Sequence, residues 1–209
     1  MLKHEIIDNF LDEEDFKYLS SFFTREVNAN EIKVYSNRIF NNGKIISTCF
    51  SDNFIKSLSI KYNKKAIQIL SGLSPLKLPL WDYTDFNIII TGSNCSFPIH
   101  RDTPNKLLSG VIYLEPKNNL GTILYSNRKG DNPTEIKWKQ NRAFFFSRNE
   151  KDSFHNYMGD GISNRLALVY NLCTNDIKKV CEIDNVNFYK VKIRERINLY
   201  FYKFFNKIF

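Results

Sequence analysis

Between residues 81 and 173 the chain breaks into short apolar runs separated by Gly, Pro, Asn and Asp. Runs this short, bounded by turn-forming residues, read as strands rather than core helices. The spacing predicts strands over 83–91, 97–101, 107–114, 122–126, 134–138, 142–147, 154–158 and 165–172. Eight strands in this arrangement suit a double-sheet jelly roll, where residues distant in sequence meet inside one mouth. The expected fold is therefore mainly β with flanking α-helices, built on a double-stranded β-helix core of jelly-roll, cupin-like form.

The first 80 residues have a different texture. Asp12 reads as a helix N-cap followed by Glu13, Glu14 and Asp15, acids that favour the positive end of the helix dipole. Leu11 and Phe16 fit a hydrophobic staple, and Phe16, Leu19, Phe22 and Phe23 make one apolar face, so a helix is predicted over 12–24. Weak alternation over 31–50 around Asn41-Asn42-Gly43 predicts a hairpin. A second helix begins near Phe54, its apolar positions running to Leu70, with Ser71-Gly72 and Pro75 as its stop. Its opposite face carries Lys56, Lys61, Lys64 and Lys65 and reads as solvated. A chain of 209 residues suits one domain. We expect an N-terminal support over 1–80, the jelly-roll core over 81–175 and a C-terminal helical segment over 176–209.

Within the strand-rich part, Phe97-Pro98-Ile99-His100-Arg101-Asp102 places an imidazole and a carboxylate two residues apart. On an extended strand such residues point to the same side. A lone His-x-Asp is common, usually as a hydrogen-bonded pair at a strand end. Here His155, in Asp152-Ser153-Phe154-His155-Asn156-Tyr157, can join it inside a jelly roll. The chain has only three histidines, His4, His100 and His155, and two of them fall in this pattern. Two histidines and a carboxylate on one face of a six-coordinate ion leave the other face open, the arrangement of non-haem Fe(II) oxygenases. Ten residues after His155, Arg165 opens the apolar run Leu166-Ala167-Leu168-Val169-Tyr170. A charge buried there calls for an anionic partner, and an Arg fork suits a carboxylate.

Taken together these residues resemble the 2-oxoglutarate and Fe(II)-dependent dioxygenase superfamily, in its prolyl-4-hydroxylase-like branch. The resemblance is carried by His100-x-Asp102, Ser109-Gly110-Val111-Ile112-Tyr113-Leu114, Leu120-Gly121-Thr122-Ile123-Leu124-Tyr125, Phe144-Phe145-Phe146-Ser147, His155 and Arg165. The opening Ile6-Ile7-Asp8-Asn9-Phe10-Leu11-Asp12-Glu13-Glu14 is similar to the family's first strand and helix. It implies that His100, Asp102 and His155 bind Fe(II) and that Arg165 pairs with the distal carboxylate of 2-oxoglutarate. O2 would be consumed, 2-oxoglutarate decarboxylated to succinate and CO2, and a protein side chain or small metabolite hydroxylated. Tyr113 is the first candidate for a hydrogen bond to 2-oxoglutarate, with Asn87, Ser109, Thr122 and Tyr125 behind it. Leu120 stands where the family has the first of two glycines, a change expected to alter a turn. Position 171 is Asn, where the nucleic-acid demethylase branch carries a second arginine. Nucleic acid is accordingly not the expected partner.

Two other classes compete. One is a non-catalytic jelly-roll binding module; the intact set of His100, Asp102, His155 and Arg165 favours the enzyme. The other is a nucleophilic enzyme using Cys95 with His100 or His155. The cysteines, Cys49, Cys95, Cys173 and Cys181, have no Cys-x-x-Cys spacing, so neither a zinc site nor a disulfide framework is indicated. No apolar run is long enough for a membrane span, and the N-terminus lacks a signal-peptide core, so a cytoplasmic protein is expected. Of the net charge of +8, half lies in 176–209, with eight Lys or Arg against four Asp or Glu. There Ile193, Ile197, Tyr200, Phe201, Phe204 and Ile208 make an aromatic and aliphatic stripe at helical spacing. Such a helix covers a sheet or a second subunit, with peripheral contact to an anionic membrane as the minor reading. The loop 127–133 reads as a lid or an exposed turn.

Overall fold

The computed structural model describes residues 2–24 and 26–205, the side chains of residues 24 and 199–205 excepted. All eight predicted strands form: β5 (Tyr83–Thr91), β6 (Ser96–His100), β7 (Lys106–Glu115), β8 (Thr122–Tyr125), β9 (Thr134–Ile136), β10 (Ala143–Phe146), β11 (Phe154–Met158) and β12 (Arg165–Cys173). They divide into two antiparallel sheets. The major sheet runs β10-β7-β12-β5 and the minor sheet β6-β11-β8-β9, so consecutive strands alternate between sheets in the jelly-roll manner except at the β8–β9 hairpin.

The major sheet is extended at both edges. β1 (His4–Ile7) pairs with β10, while β2 (Ile32–Tyr35) and β3 (Asn37–Phe40) pair with β5, and β4 (Ile45–Ser47) pairs with β3. The hairpin around Asn41-Asn42-Gly43 is thus β3–β4, with Gly43 at φ +84°, a conformation glycine adopts without strain. β2 is a separate strand, so the region is not one long hairpin. Ile32 and Val34 find their backbone partners on β5 instead.

Alternation on β12 decides which side faces what. Leu166, Leu168, Tyr170 and Leu172 turn outward, joining Phe86, Ile88, Ile90, Leu108, Ile112 and Phe145 in the main core. Two helices cover that face. α1 (Glu13–Ser20) starts at Asp12, whose side chain accepts from the Asp15 amide, and it continues as a 3-10 turn through Thr24. α2 (Asp52–Leu73) starts at Ser51, whose hydroxyl accepts from the Phe54 amide, and buries Ile55, Leu58, Tyr62, Ala66 and Leu70. It runs through Ser71 and Gly72, which do not stop it; Ser74 and Pro75 do. Lys61 reaches back to Asp12 and Asp15 at 2.8 and 2.9 Å, fastening the two helices together.

The segment 176–209 is two helices rather than one. α3 (Ile177–Ile183) ends at Asp184, and Asn185 adopts a positive φ of 55°, reversing the chain before α4 (Phe188–Phe205). α4 buries Val191 and leaves Tyr189, Ile193 and Ile197 exposed. The side chains of Tyr200, Phe201 and Phe204, and the whole of Ile208, lie outside the described residues. Among the described residues no helix is long and apolar enough to cross a membrane.

Candidate metal centre

His155 and His100 are direct cross-strand partners on β11 and β6, where opposed side chains stand close together. Their ring centroids are 4.4 Å apart. Asp102 lies just beyond the end of β6, not on the strand, and still turns to the same side. One ligand atom from each of His100, Asp102 and His155 lies within 4.8 Å of the others.

The histidine tautomers follow from their partners. The Nδ1 of His100 is 2.8 Å from the Pro98 carbonyl, and that of His155 is 3.1 Å from the Ser153 carbonyl. A carbonyl only accepts, so each Nδ1 carries a proton and donates, leaving both Nε2 lone pairs for a ligand. Burial, and then the neighbouring His155, push His100 down to about 4, while burial also lowers His155. Both rings are therefore neutral near pH 7, as metal ligation requires. Burial alone would raise Asp102, but Lys106, His155 and His100 hold its carboxyl below the usual carboxylate range. Lys106 donates to Asp102 at 2.5 Å.

A buried ionic group supports Asp102 from behind. Arg148, fully buried, donates from Nε to the Asp102 carbonyl at 3.0 Å. It also contacts Glu150 and lies 3.4 Å from Asp184, which pairs with Lys77 at 2.7 Å. Glu150 is shared with Arg101, between the two ligand positions, and with Arg194 of α4. The C-terminal helix is thereby tied to the loop that carries Asp102.

A cavity of about 220 Å³ lies between the sheets, with His100, Asp102 and His155 on its wall together with Arg165. Arg165 is 6% exposed, yet no Asp or Glu pairs with it among the described residues. Three aromatic rings surround it instead: Tyr157, Trp138 and Tyr113, at 3.9, 5.2 and 5.3 Å from the guanidinium carbon to the ring centres. Burial lowers its pKa, the direction expected of a charge without a carboxylate partner. Such a site suits a carboxylate that arrives from outside.

The other predicted residues divide. Tyr113 stands beside Arg165, but its hydroxyl is committed to Thr122, donating to Oγ1 at 2.8 Å and accepting from the amide at 3.1 Å. Ser109 and Thr122 border the cavity, whereas Asn87 accepts from the Asn37 amide and Tyr125 lies elsewhere. Cys95 does not border the cavity; its thiol faces the carbonyls of Ala29 and Glu31, which removes the geometric basis for a Cys-His nucleophile. Leu120 is exposed, and the glycine that matters is Gly121, where a Cβ would lie 1.9 Å from the Ile136 carbonyl oxygen. The loop 127–133 is a turn organised by Asn127, which contacts Asp131 at 2.7 Å.

Sequence reasoning passed over Lys106, Asn156 and the Trp138–Tyr157 cage. Tyr157 could have been found, since it follows His155 by two on the same strand. Lys106 could not: a bulge at Leu107, where Leu172 pairs with Leu108 but Cys173 with Lys106, turns Lys106 inward.

No protein-family model matches the chain, and no curated protein matches it. Solved structures do share its fold. A prolyl-4-hydroxylase from Pseudomonas putida superposes with a TM-score of 0.57 at 12% identity, covering 84% of this chain and 94% of that one. A prolyl hydroxylase from Trichoplax adhaerens, in complex with a hypoxia inducible factor oxygen degradation domain peptide fragment, gives 0.56 at 16% identity, covering 84% and 85%. An oxidoreductase of the 2OG-Fe(II) oxygenase family from Burkholderia pseudomallei gives 0.54 at 12%, covering 81% and 84%. The fold is thus the jelly roll of these oxygenases.

Proposed function

We propose that this protein is an Fe(II)- and 2-oxoglutarate-dependent dioxygenase that hydroxylates a substrate and releases succinate and CO2. The observation that carries the reading is the joint presence, in one cavity, of the His100–Asp102–His155 cluster and an Arg165 without a carboxylate partner. The donor set fits the group: two neutral imidazoles with free Nε2 atoms and an ionised carboxylate suit an Fe(II) ion with open positions. When bound, Fe(II) and 2-oxoglutarate supply the oxidising chemistry with O2.

The chain's own residues do the rest. His100, Asp102 and His155 would hold the metal, and Arg148, through the Asp102 carbonyl, fixes the loop that presents the carboxylate. Arg165 would take the distal carboxylate of 2-oxoglutarate, with Tyr113 as the floor beneath the guanidinium. Phe144, Phe146 and Val169 give the cavity dry walls, which strengthen every polar contact inside. A non-catalytic binding module would retain this metal cluster without turnover, and the assay separates the two. Protein supplied with Fe(II), ascorbate, O2 and 2-oxoglutarate should form succinate, and His155→Ala should not. Absence of succinate with 2-oxoglutarate demonstrably bound would favour the binding module. A cytoplasmic setting accords with four cysteines that form no disulfide.

A further inference from the structure

Arg165 occupies one end of the cavity. Three other polar residues border the cavity toward its metal end, and only one of them, Lys106, has a task in the site as described, as the donor to Asp102. Ser109 and Asn171 are direct cross-strand partners on β7 and β12, 2% and 1% exposed. Ser109 Oγ and Asn171 Oδ1 are buried without a hydrogen-bond partner among the described residues, and both residues border the cavity. An unmade hydrogen bond on such a group costs about 1–3 kcal/mol, so two neighbouring ones on a cavity wall point to a ligand. The bulge at Leu107 brings Lys106 onto the same wall. One of its three N–H groups goes to Asp102, leaving two further donors.

We propose that Lys106, Ser109 and Asn171 form the substrate subsite, and that it takes the carboxylate and amino group of a small, apolar free amino acid. This rests on the dioxygenase reading and names its substrate class. The charges argue for the carboxylate. Arg165 and Lys106 are both cationic, and Asp102 is the one acid on the cavity wall among the described residues. Lys106 is paired with Asp102, but once Fe(II) shares that carboxylate and 2-oxoglutarate matches Arg165, the site carries one positive charge in excess, which a substrate carboxylate would meet. Asn171 Oδ1 and Ser109 Oγ are acceptors, which suits an ammonium group beside that carboxylate. The remaining wall, Ile89, Phe97, Val111, Phe144, Phe146 and Val169, suits an apolar side chain.

The test is isothermal titration of anaerobic protein loaded with Fe(II) and 2-oxoglutarate. The probes are free L-valine, L-leucine, L-isoleucine, L-methionine and L-phenylalanine, and their C-terminal amides. At least one free acid should bind, its amide about tenfold or more weaker, since the amide forfeits a charge pair. Lys106→Met should bring the acid down to the level of the amide, Lys106→Arg should keep the preference, and Asn171→Leu should weaken both. The affinity for 2-oxoglutarate, read from the visible charge-transfer band, should stay within about twofold in Asn171→Leu, which leaves the contact between Lys106 and Asp102 in place. Three results would overturn the proposal: no free acid binds although the band forms; acid and amide bind alike; or Asn171→Leu weakens 2-oxoglutarate itself about tenfold. If no band forms, the dioxygenase reading has failed, and the titration is repeated on Zn(II)-loaded protein. There, a Lys106-dependent preference for acid over amide upholds the subsite and its lack overturns it.

Discussion

Arg165→Met should move two measurements in opposite directions. In the protein without 2-oxoglutarate, Arg165 is a buried charge facing three rings and no carboxylate. Burying an ion costs several kcal/mol, and three cation–π contacts at about 1 kcal/mol each return about 3 kcal/mol, leaving a deficit of about 1–2 kcal/mol. Methionine fills similar space without the charge, so the variant should be more stable by that amount, raising Tm by about 2–8 °C for a chain of this size. Its affinity for 2-oxoglutarate should fall by about 2–5 kcal/mol, a loss of about thirtyfold or more, because a fork-to-carboxylate pair is gone. Scanning calorimetry of the protein free of 2-oxoglutarate and titration of the anaerobic Fe(II) form read the two quantities. A structural arginine would give the opposite stability result. If Tm falls by several degrees while 2-oxoglutarate affinity is unchanged, the assignment of Arg165 is refuted.

Other consequences are less elaborate. Burial would raise Glu150, but Arg194, Arg148 and Arg101 hold it down to about 2. A depressed carboxyl contributes stability above its ordinary range, near 4.5, and loses it as pH falls toward 2; the contribution here is about 3 kcal/mol. Glu150→Gln should therefore be destabilised by about that amount at pH 7 in urea titrations, the gap to the native protein closing as pH approaches 2; a constant gap would contradict the network. Phe145 is fully buried against Phe10 and Tyr170, at 5.2 and 5.8 Å between ring centres. Phe145→Ala should cost about 3–5 kcal/mol, and a loss below about 1 kcal/mol would mean that this face of the sheet is not packed as described. Asp12→Ala removes the α1 cap and the contact with Lys61, an expected loss of about 1 kcal/mol, measured in the same way.

The strands were legible because each carries its own punctuation. Tyr83–Thr91 and Phe154–Met158 are apolar runs bounded by turn residues, and their ends follow from local chemistry alone. The His100–Asp102–His155 cluster was legible once a jelly roll was assumed, since His100 and His155 then face each other across two strands. What stayed hidden depends on register. The inward turn of Lys106 comes from one extra residue at Leu107, and no side-chain pattern announces a bulge. Asn171 drew notice only as a position lacking arginine, and its unpaired amide oxygen is visible only when Ser109 is seen beside it. The division of the tail into α3 and α4 depends on Asn185 at positive φ, a choice that asparagine permits but does not compel.

The central claim is that His100, Asp102, His155 and Arg165 together hold Fe(II) and 2-oxoglutarate. Anaerobic titration of the apoprotein with Fe(II) and then 2-oxoglutarate tests it most directly, through the visible charge-transfer absorption of the chelate. The account predicts that the band appears in the native protein, is lost in His155→Ala, and in Arg165→Ala needs about thirtyfold or more 2-oxoglutarate. Iron bound in stoichiometric amount with no band at saturating 2-oxoglutarate would contradict it.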